Sequence, residues 1–305
     1  MIWFFIALIG PLLYATTNYI DKLLLQKYFT EGGVGTILIF SGLVAILALP
    51  FFLIADPSVL QVRPIDIATL IGVGISNALV LFFYLKALEG EEVSVAIIFY
   101  QLVPVLAYGL GYLLLGETLS AMQFAAMGVI ILGTSVVAFE VDEDNRFKLR
   151  ARTIGFMLCA SFCWALGAVL FKGVALEEHL ARSLFWEHVT LAIIGIGLFV
   201  LVRPYRTHFL EALRQNSRAI LSLNVLNEGI YISGNIAMAF AYLLAPVSLV
   251  LLANSYQVIF ALLIGIALTA VAPQLAAEKV KLRHIGQKAA AIGLTAVGTY
   301  LLFTA

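Results

Sequence analysis

The sequence predicts an all-α integral membrane protein whose ten transmembrane helices form two inverted five-helix repeats. Three observations carry that expectation. Of the 305 residues, 62% are hydrophobic and 12% charged, with a mean hydropathy of +1.04. Two soluble domains of this length would need far more charge at their surfaces than 18 basic and 18 acidic residues supply. Apolar runs of about 20 residues, enough to cross a ~30 Å hydrocarbon core, recur along the whole chain. The charged segment 140-EVDEDNRFKLRAR stands between the fifth and sixth runs and divides the chain evenly.

The runs are Ile2 to Leu25, Val34 to Ile54, Ile65 to Leu88, Val93 to Leu115, Ala121 to Phe139, Thr153 to Ala175, Ser183 to Val202, Ile220 to Leu244, Val247 to Val271 and Ile285 to Phe303. The first is too long for the core of a signal peptide and lacks a basic flank, so it reads as a mature helix. Transmembrane strands would alternate apolar and polar residues, which 191-LAIIGIGLFVLV does not do.

Residues 1–140 read as one repeat, 141–152 as a charged linker and 153–305 as a second repeat. Weak matches recur in the same order in both halves. Tyr14-Ala15 followed by Lys22 parallels Trp164-Ala165 followed by Lys172, and Asn77 parallels Asn227. Val93-Ser94 parallels Val247-Ser248, and Tyr100-Gln101 parallels Tyr256-Gln257. An odd number of spans per half inverts the second copy, an arrangement that places a transport site between the halves near the midplane.

Polar side chains at membrane depth are costly unless they meet a partner, a cavity or water, so polar stripes mark candidate sites. On the first helix Tyr14, Asn18 and Asp21 share a face, with Lys22 beside it. On the eighth, Asn227, Tyr231 and Asn235 repeat every four residues. Asn77 on the third, Tyr100 and Gln101 on the fourth, and Asn254 and Gln257 on the ninth complete the candidate substrate-binding set. Amides and phenols both donate and accept, which suits a polar metabolite. The same groups can also knit helices together. Tyr108 and Tyr112 fit an interfacial aromatic belt better than a site.

Lys22, Lys172 and Glu228 are candidates for charge or proton coupling. Lys22 and Lys172 stand near the ends of equivalent helices, where they can bind an anionic group, exchange ion pairs or snorkel to headgroups. Glu228 lies inside an apolar run, where it can carry a proton or pair with either lysine. Glu187 and His188 open the seventh span and read as interfacial. Cys159 and Cys163 read as buried packing residues. The sequence predicts no metal site and no cofactor, and it has no P-loop for a nucleotide. Zero net charge and a pI near 6.9 give no global basic field for nucleic acid. Ala121 and Ala125, with Ala289 and Gly293, form small-residue faces that can join the halves or a homodimer.

The stretch 101-QLVPVLAYGLGYLLLGETLS, a Pro-containing apolar helix closed by Gly-Glu and a short turn, resembles the signature of the drug/metabolite transporter superfamily, EamA-type ten-helix branch. Tyr14, Asn18 and Lys22 on the first helix agree, as do the glycine pairs Gly128 and Gly133, and Gly293 and Gly298. The second half departs from the pattern, with Val258 where the first has Pro104 and Glu278 only after a longer segment. The resemblance implies a secondary transporter, not an enzyme, in a bacterial or archaeal plasma membrane. It implies export, a cavity lined by helices one, three, four, six, eight and nine, and cytoplasmic termini. The basic residues argue otherwise about orientation: three (Arg63, Lys172, Arg182) fall on the side of the termini and 15 on the other, which places the termini outside. The charge count is preferred here. The leading expectation is a carrier for a small polar organic metabolite, an amino acid or similar. The alternative is a membrane-embedded enzyme for a lipid-linked or amphipathic substrate, using Glu187, His188 and Glu228 as acid and base.

Overall fold

The computed structural model describes residues 2–28, 33–88, 99–138, 151–271 and 282–305. Most of the linker at 141–152, together with Val93, Ser94 and Glu278, lies outside the described residues. Among the described residues every regular element is helical. The elements are α1 (Ile2–Leu23), α2 (Gly33–Ala55), α3 (Pro64–Leu88), α4 (Val103–Leu115), α5 (Ala121–Ala138), α6 (Ala151–Ala175), α7 (Leu180–Leu201), α8 (Arg203–Tyr242), α9 (Val247–Leu252), α10 (Gln257–Val271) and α11 (Leu282–Thr304). A 3₁₀ turn, Ala253–Tyr256, joins α9 to α10 as one run, and another, Phe99–Leu102, leads into α4.

Six helical stretches are long and apolar enough to cross a membrane: Ile2–Leu23, Gly33–Ala55, Pro64–Leu88, Arg152–Ala175, Leu180–Leu201 and Val247–Thr269. Shorter apolar helices at Phe99–Leu115, Ala121–Val136 and Ala290–Thr304 accompany them. The polar stripe of Asn227, Glu228 and Asn235 dilutes the hydropathy of α8. The outside of the bundle is apolar, with Phe51 72%, Leu113 76% and Leu201 81% exposed. Water would penalise so large an apolar surface, whereas lipid accepts it.

The sequence places a loop at 203–219. The structure instead continues α8 from Arg203, because 203-RPYRTHFLEALR has helical periodicity and Pro204 suits a first turn. That helix bends. Phe40 packs against Phe209 with tilted rings at 4.6 Å between centroids, while its neighbour Ser41 hydrogen-bonds Glu228. A straight helix would separate residues 209 and 228 by about 28 Å, too far for adjacent residues of α2 to reach both. The basic first part of α8 therefore folds back over the start of α2, and the spanning part follows it.

Packing is symmetric between the first five runs and the last five. The α1 helix lies against α8 as α3 lies against α6; α2 meets α7, α5 meets α11, and α4 meets α9. Likewise α4 touches α6 as α10 touches α1. Glycines permit the closest crossings. A Cβ on Gly42 would stand 2.5 Å from the Cα of Gly195, and one on Gly133 would stand 2.5 Å from the Thr295 hydroxyl oxygen. Ala121, Ala125 and Gly293 are exposed and do not join the halves; Gly133 and Gly298 make the α5–α11 contact. The buried reading of the cysteines also needs correction. Cys159 is exposed and Cys163 half-buried, since α6 turns Trp164, Ala168 and Phe171 inward and the Cys159 face outward.

Candidate functional site

A cavity of about 140 Å³ lies between the two halves and is walled by α1, α2, α3, α6, α7 and α8, with Tyr100 from the 3₁₀ turn before α4 and Gln257 from the start of α10. Each wall helix presents residues three, four or seven apart, the spacing that keeps side chains on one helical face. Thus Tyr14, Asn18 and Asp21 come from α1, Asn77 and Tyr84 from α3, and Asn227, Tyr231, Asn235 and Tyr242 from α8.

The polar groups form cross-half links. Asn227 Nδ2 donates to Asp21 Oδ1 at 2.7 Å across the halves, while within the first half Tyr84 Oη donates to Asn18 Oδ1 at 3.0 Å. Glu187 Oε1 accepts from Asn77 Nδ2 at 2.8 Å and from Asn235 Nδ2 at 2.9 Å, so one carboxylate oxygen ties α7 to helices of both halves. Ser41 donates to Glu228. Aromatic rings fill the spaces between: Tyr100 meets Trp164 edge-on at 4.8 Å, and Tyr14 lies 5.5 Å from Tyr231.

Eight of the ten candidate binding residues line this cavity: Tyr14, Asn18, Asn77, Tyr100, Asn227, Tyr231, Asn235 and Gln257. Gln101 and Asn254 do not. Gln101 Oε1 accepts from Thr134 at 2.8 Å and so ties α5 to the turn before α4; Asn254 is buried in the 3₁₀ turn between α9 and α10. Of the coupling candidates, Glu228 faces the cavity, whereas neither lysine does. Lys172 Nζ is 2.6 Å from Glu117 Oε1 and donates to the Ala245 carbonyl at 2.6 Å, which occupies it away from Glu228. Among the described residues Lys22 makes no ion pair with Glu228; Ser41 stands there instead.

Glu187 and His188 are not interfacial. Helix α7 starts at Leu180, so both sit two turns inside it, 2% and 1% exposed, and both line the cavity. An ionisable pair this deep in an apolar run was the available signal. Asp21 was visible on the Tyr14 and Asn18 face, and Tyr84 and Tyr242 each stand seven residues beyond an asparagine of the site, Asn77 and Asn235. The aromatic Trp164 and Phe171 carried no such signal.

One end of the bundle is laced shut. Lys172–Glu117, Arg182–Asp56 at 2.8 Å and Arg63–Glu177 each join one half to the other, and all lie at the end formed by the connections 56–63, 116–120, 176–179 and 243–246. Glu117 Oε2 also accepts the Val247 backbone N–H at 2.9 Å, so it caps the start of α9 rather than its own helix. The Arg182 hydrogen bond, with the Ser58 N–H, holds the Asp56 carboxyl below the usual carboxylate range.

Residues 1–139 match the EamA-like transporter family. Over its first half the chain is similar to EamA-like membrane transporters. The EamA family is one of transporters, not enzymes, and its helical, membrane-embedded character agrees with the six long and three shorter apolar helices among the described residues and with their apolar outer surface. No curated protein matches the chain. A crystal structure of another protein superimposes on 98% of this chain and 94% of its own, with a TM-score of 0.62 at 19% identity, a likeness of fold alone. The EamA-like match covers the half that supplies Tyr14, Asn18, Asp21, Asn77 and Tyr84; the remaining wall comes from the second half.

Proposed function

We propose that this transporter moves a small polar organic metabolite, an amino acid or similar compound, by alternating access, with its two five-helix halves rocking around the shared cavity. The observation that carries the reading is the cavity itself, walled by polar groups from both halves at the depth of the spans. Rocking must part the halves at one end while closing them at the other. The three cross-half ion pairs fit the closed end of such a cycle. The boundary between the halves falls at 141–152, and the second copy is inverted.

The excess of basic residues on the opposite end favours termini outside, which directs the ion-paired end outward. Export then loads substrate from the basic end. Glu228 is the coupling acid of this scheme, since it faces the cavity beside the substrate-binding Asn227. The host membrane is a bacterial or archaeal plasma membrane.

The test is counterflow of labelled amino acids and related polar metabolites into proteoliposomes, with and without an imposed pH gradient. Saturable accumulation of an unchanged compound, accelerated by the gradient and insensitive to it in Glu228→Gln, supports the reading. Conversion of the compound without counterflow overturns it in favour of a membrane enzyme.

A further inference from the structure

We propose that the cavity recognises an organic cation bearing N–H groups, a protonated amine or a guanidinium; this rests on the reading of the cavity as the transport site.

The charge balance of the wall points there first. Asp21, Glu187 and Glu228 approach one cavity from α1, α7 and α8, and no lysine or arginine lines it. Their hydrogen-bond partners are the neutral groups of Asn227, Asn77, Asn235 and Ser41, which satisfy lone pairs without supplying charge. His188 is the one basic side chain on the wall; its Nδ1 lies 2.8 Å from the Leu184 carbonyl of its own helix. Buried carboxylates without a counter-charge are costly, and a cationic ligand supplies that charge.

A second observation is independent of the acids. Asn227 Oδ1 and Gln257 Oε1 are buried acceptors on the wall with no partner, and Asn18 Nδ2 is a buried donor with none. These residues are 5%, 2% and 5% exposed. Buried amides normally find partners, so such orphans mark where a ligand's groups belong. Among these buried orphans acceptors outnumber donors, so a ligand that satisfies them brings N–H or O–H donors; with the charge of the wall this favours an N–H-bearing cation over a quaternary ammonium, which brings none. The orphan donor Asn18 Nδ2 leaves room for an acceptor on the same ligand.

The aromatic groups complete the match. Tyr231, Tyr14, Trp164 and Tyr100 form a chain of ring contacts at 5.5, 6.1 and 4.8 Å between centroids and supply aromatic surface for a cation on the wall. A metal ion would need converging ligands, and among the described residues no three His, Cys, Asp or Glu side chains stand close enough to share one.

The experiment measures equilibrium binding of radiolabelled 1,4-diaminobutane, 4-guanidinobutylamine and butylamine to the full chain in nanodiscs. Competitors are 1,4-butanediol and the fully N-methylated diammonium. The expected result is saturable binding of at least one labelled amine, not displaced by the diol. Glu187→Gln and Asp21→Asn should each weaken it tenfold or more while leaving the melting temperature unchanged. Should one of these variants fail to fold, Asn227→Asp, which adds charge, should tighten binding and serves in its place. No saturable binding of any of the three amines, or equal displacement by the diol, overturns the proposal. Counterflow separates the two readings. A neutral metabolite that is carried while no amine binds refutes the cation and spares the transporter; an amine that binds but is never carried does the reverse.

Discussion

Asn77 Nδ2 lies 2.8 Å from Glu187 Oε1, a hydrogen bond between α3 of the first half and α7 of the second. The same oxygen accepts from Asn235, so Glu187 is held from both sides of the interface that must rearrange during transport. Replacing Asn77 with alanine removes one of two neutral donors. In membranes such a bond contributes about 0.6 to 1.7 kcal/mol, so the fold should survive. Transport, which depends on where the carboxyl points, should fall tenfold or more. Counterflow beside a melting curve in detergent separates the two effects.

Asn18→Ala and Asn227→Ala should each abolish transport while leaving folded protein in the membrane. Asn18 positions the Tyr84 hydroxyl and Asn227 the Asp21 carboxylate, and each also offers a free polar atom to the cavity. Full activity in both variants would remove this wall from the site.

Lys172 and Glu117 form a nearly buried pair, with side chains 9% and 14% exposed. Removing one member strands the other's charge, which typically costs about 3 to 5 kcal/mol. Lys172→Met should therefore lower thermal stability sharply, and adding Glu117→Gln should recover part of the loss. A double-mutant cycle read by thermal unfolding in nanodiscs checks this.

Gly42→Ala places a methyl group 2.5 Å from the Gly195 backbone, where neither helix has a side chain that can move aside. The α2–α7 crossing must open, at a cost of about 1 to 3 kcal/mol. Gly197→Ala, whose new methyl meets nothing within 4 Å, is the control and should be neutral or slightly stabilising. Expression level and melting temperature report the difference.

The Asp56 carboxyl is held below its ordinary range by Arg182 and the Ser58 N–H. Its folded value lies under its unfolded one, so its contribution is present above the usual carboxylate range and is lost as pH falls through the lowered value. Melting temperature should thus be insensitive to this pair between pH 5 and 8 and should fall in more acidic solution. Asp56→Asn should flatten that acid limb.

Much of this was legible in the chain. Helix count follows from apolar length, and the stripes at Asn18, Asn77 and Asn227 follow from helical periodicity, because membrane depth makes each polar residue conspicuous. What escaped was set by tertiary geometry. Glu187 and His188 read as interfacial because the apolar run begins at Ser183, whereas the helix begins three residues earlier at Leu180. The partners of Lys172 were not legible because Glu117 and Ala245, 55 residues before it and 73 after it, come near it only in the fold. Gln101 shares its 3₁₀ turn with Tyr100 yet points to Thr134, a divergence that no periodic pattern reveals.

The most direct test of the account is the accessibility of one cavity position from both sides of the membrane. Ala168 lines the cavity on α6, and Ala168→Cys in a background with Cys159 and Cys163 changed to serine gives a single thiol there. Alternating access predicts that a membrane-impermeant thiol reagent labels it from either side of oriented vesicles, with substrate shifting the balance between the two. Labelling from one side only, unchanged by substrate and by breaking the Lys172–Glu117 pair, would contradict it.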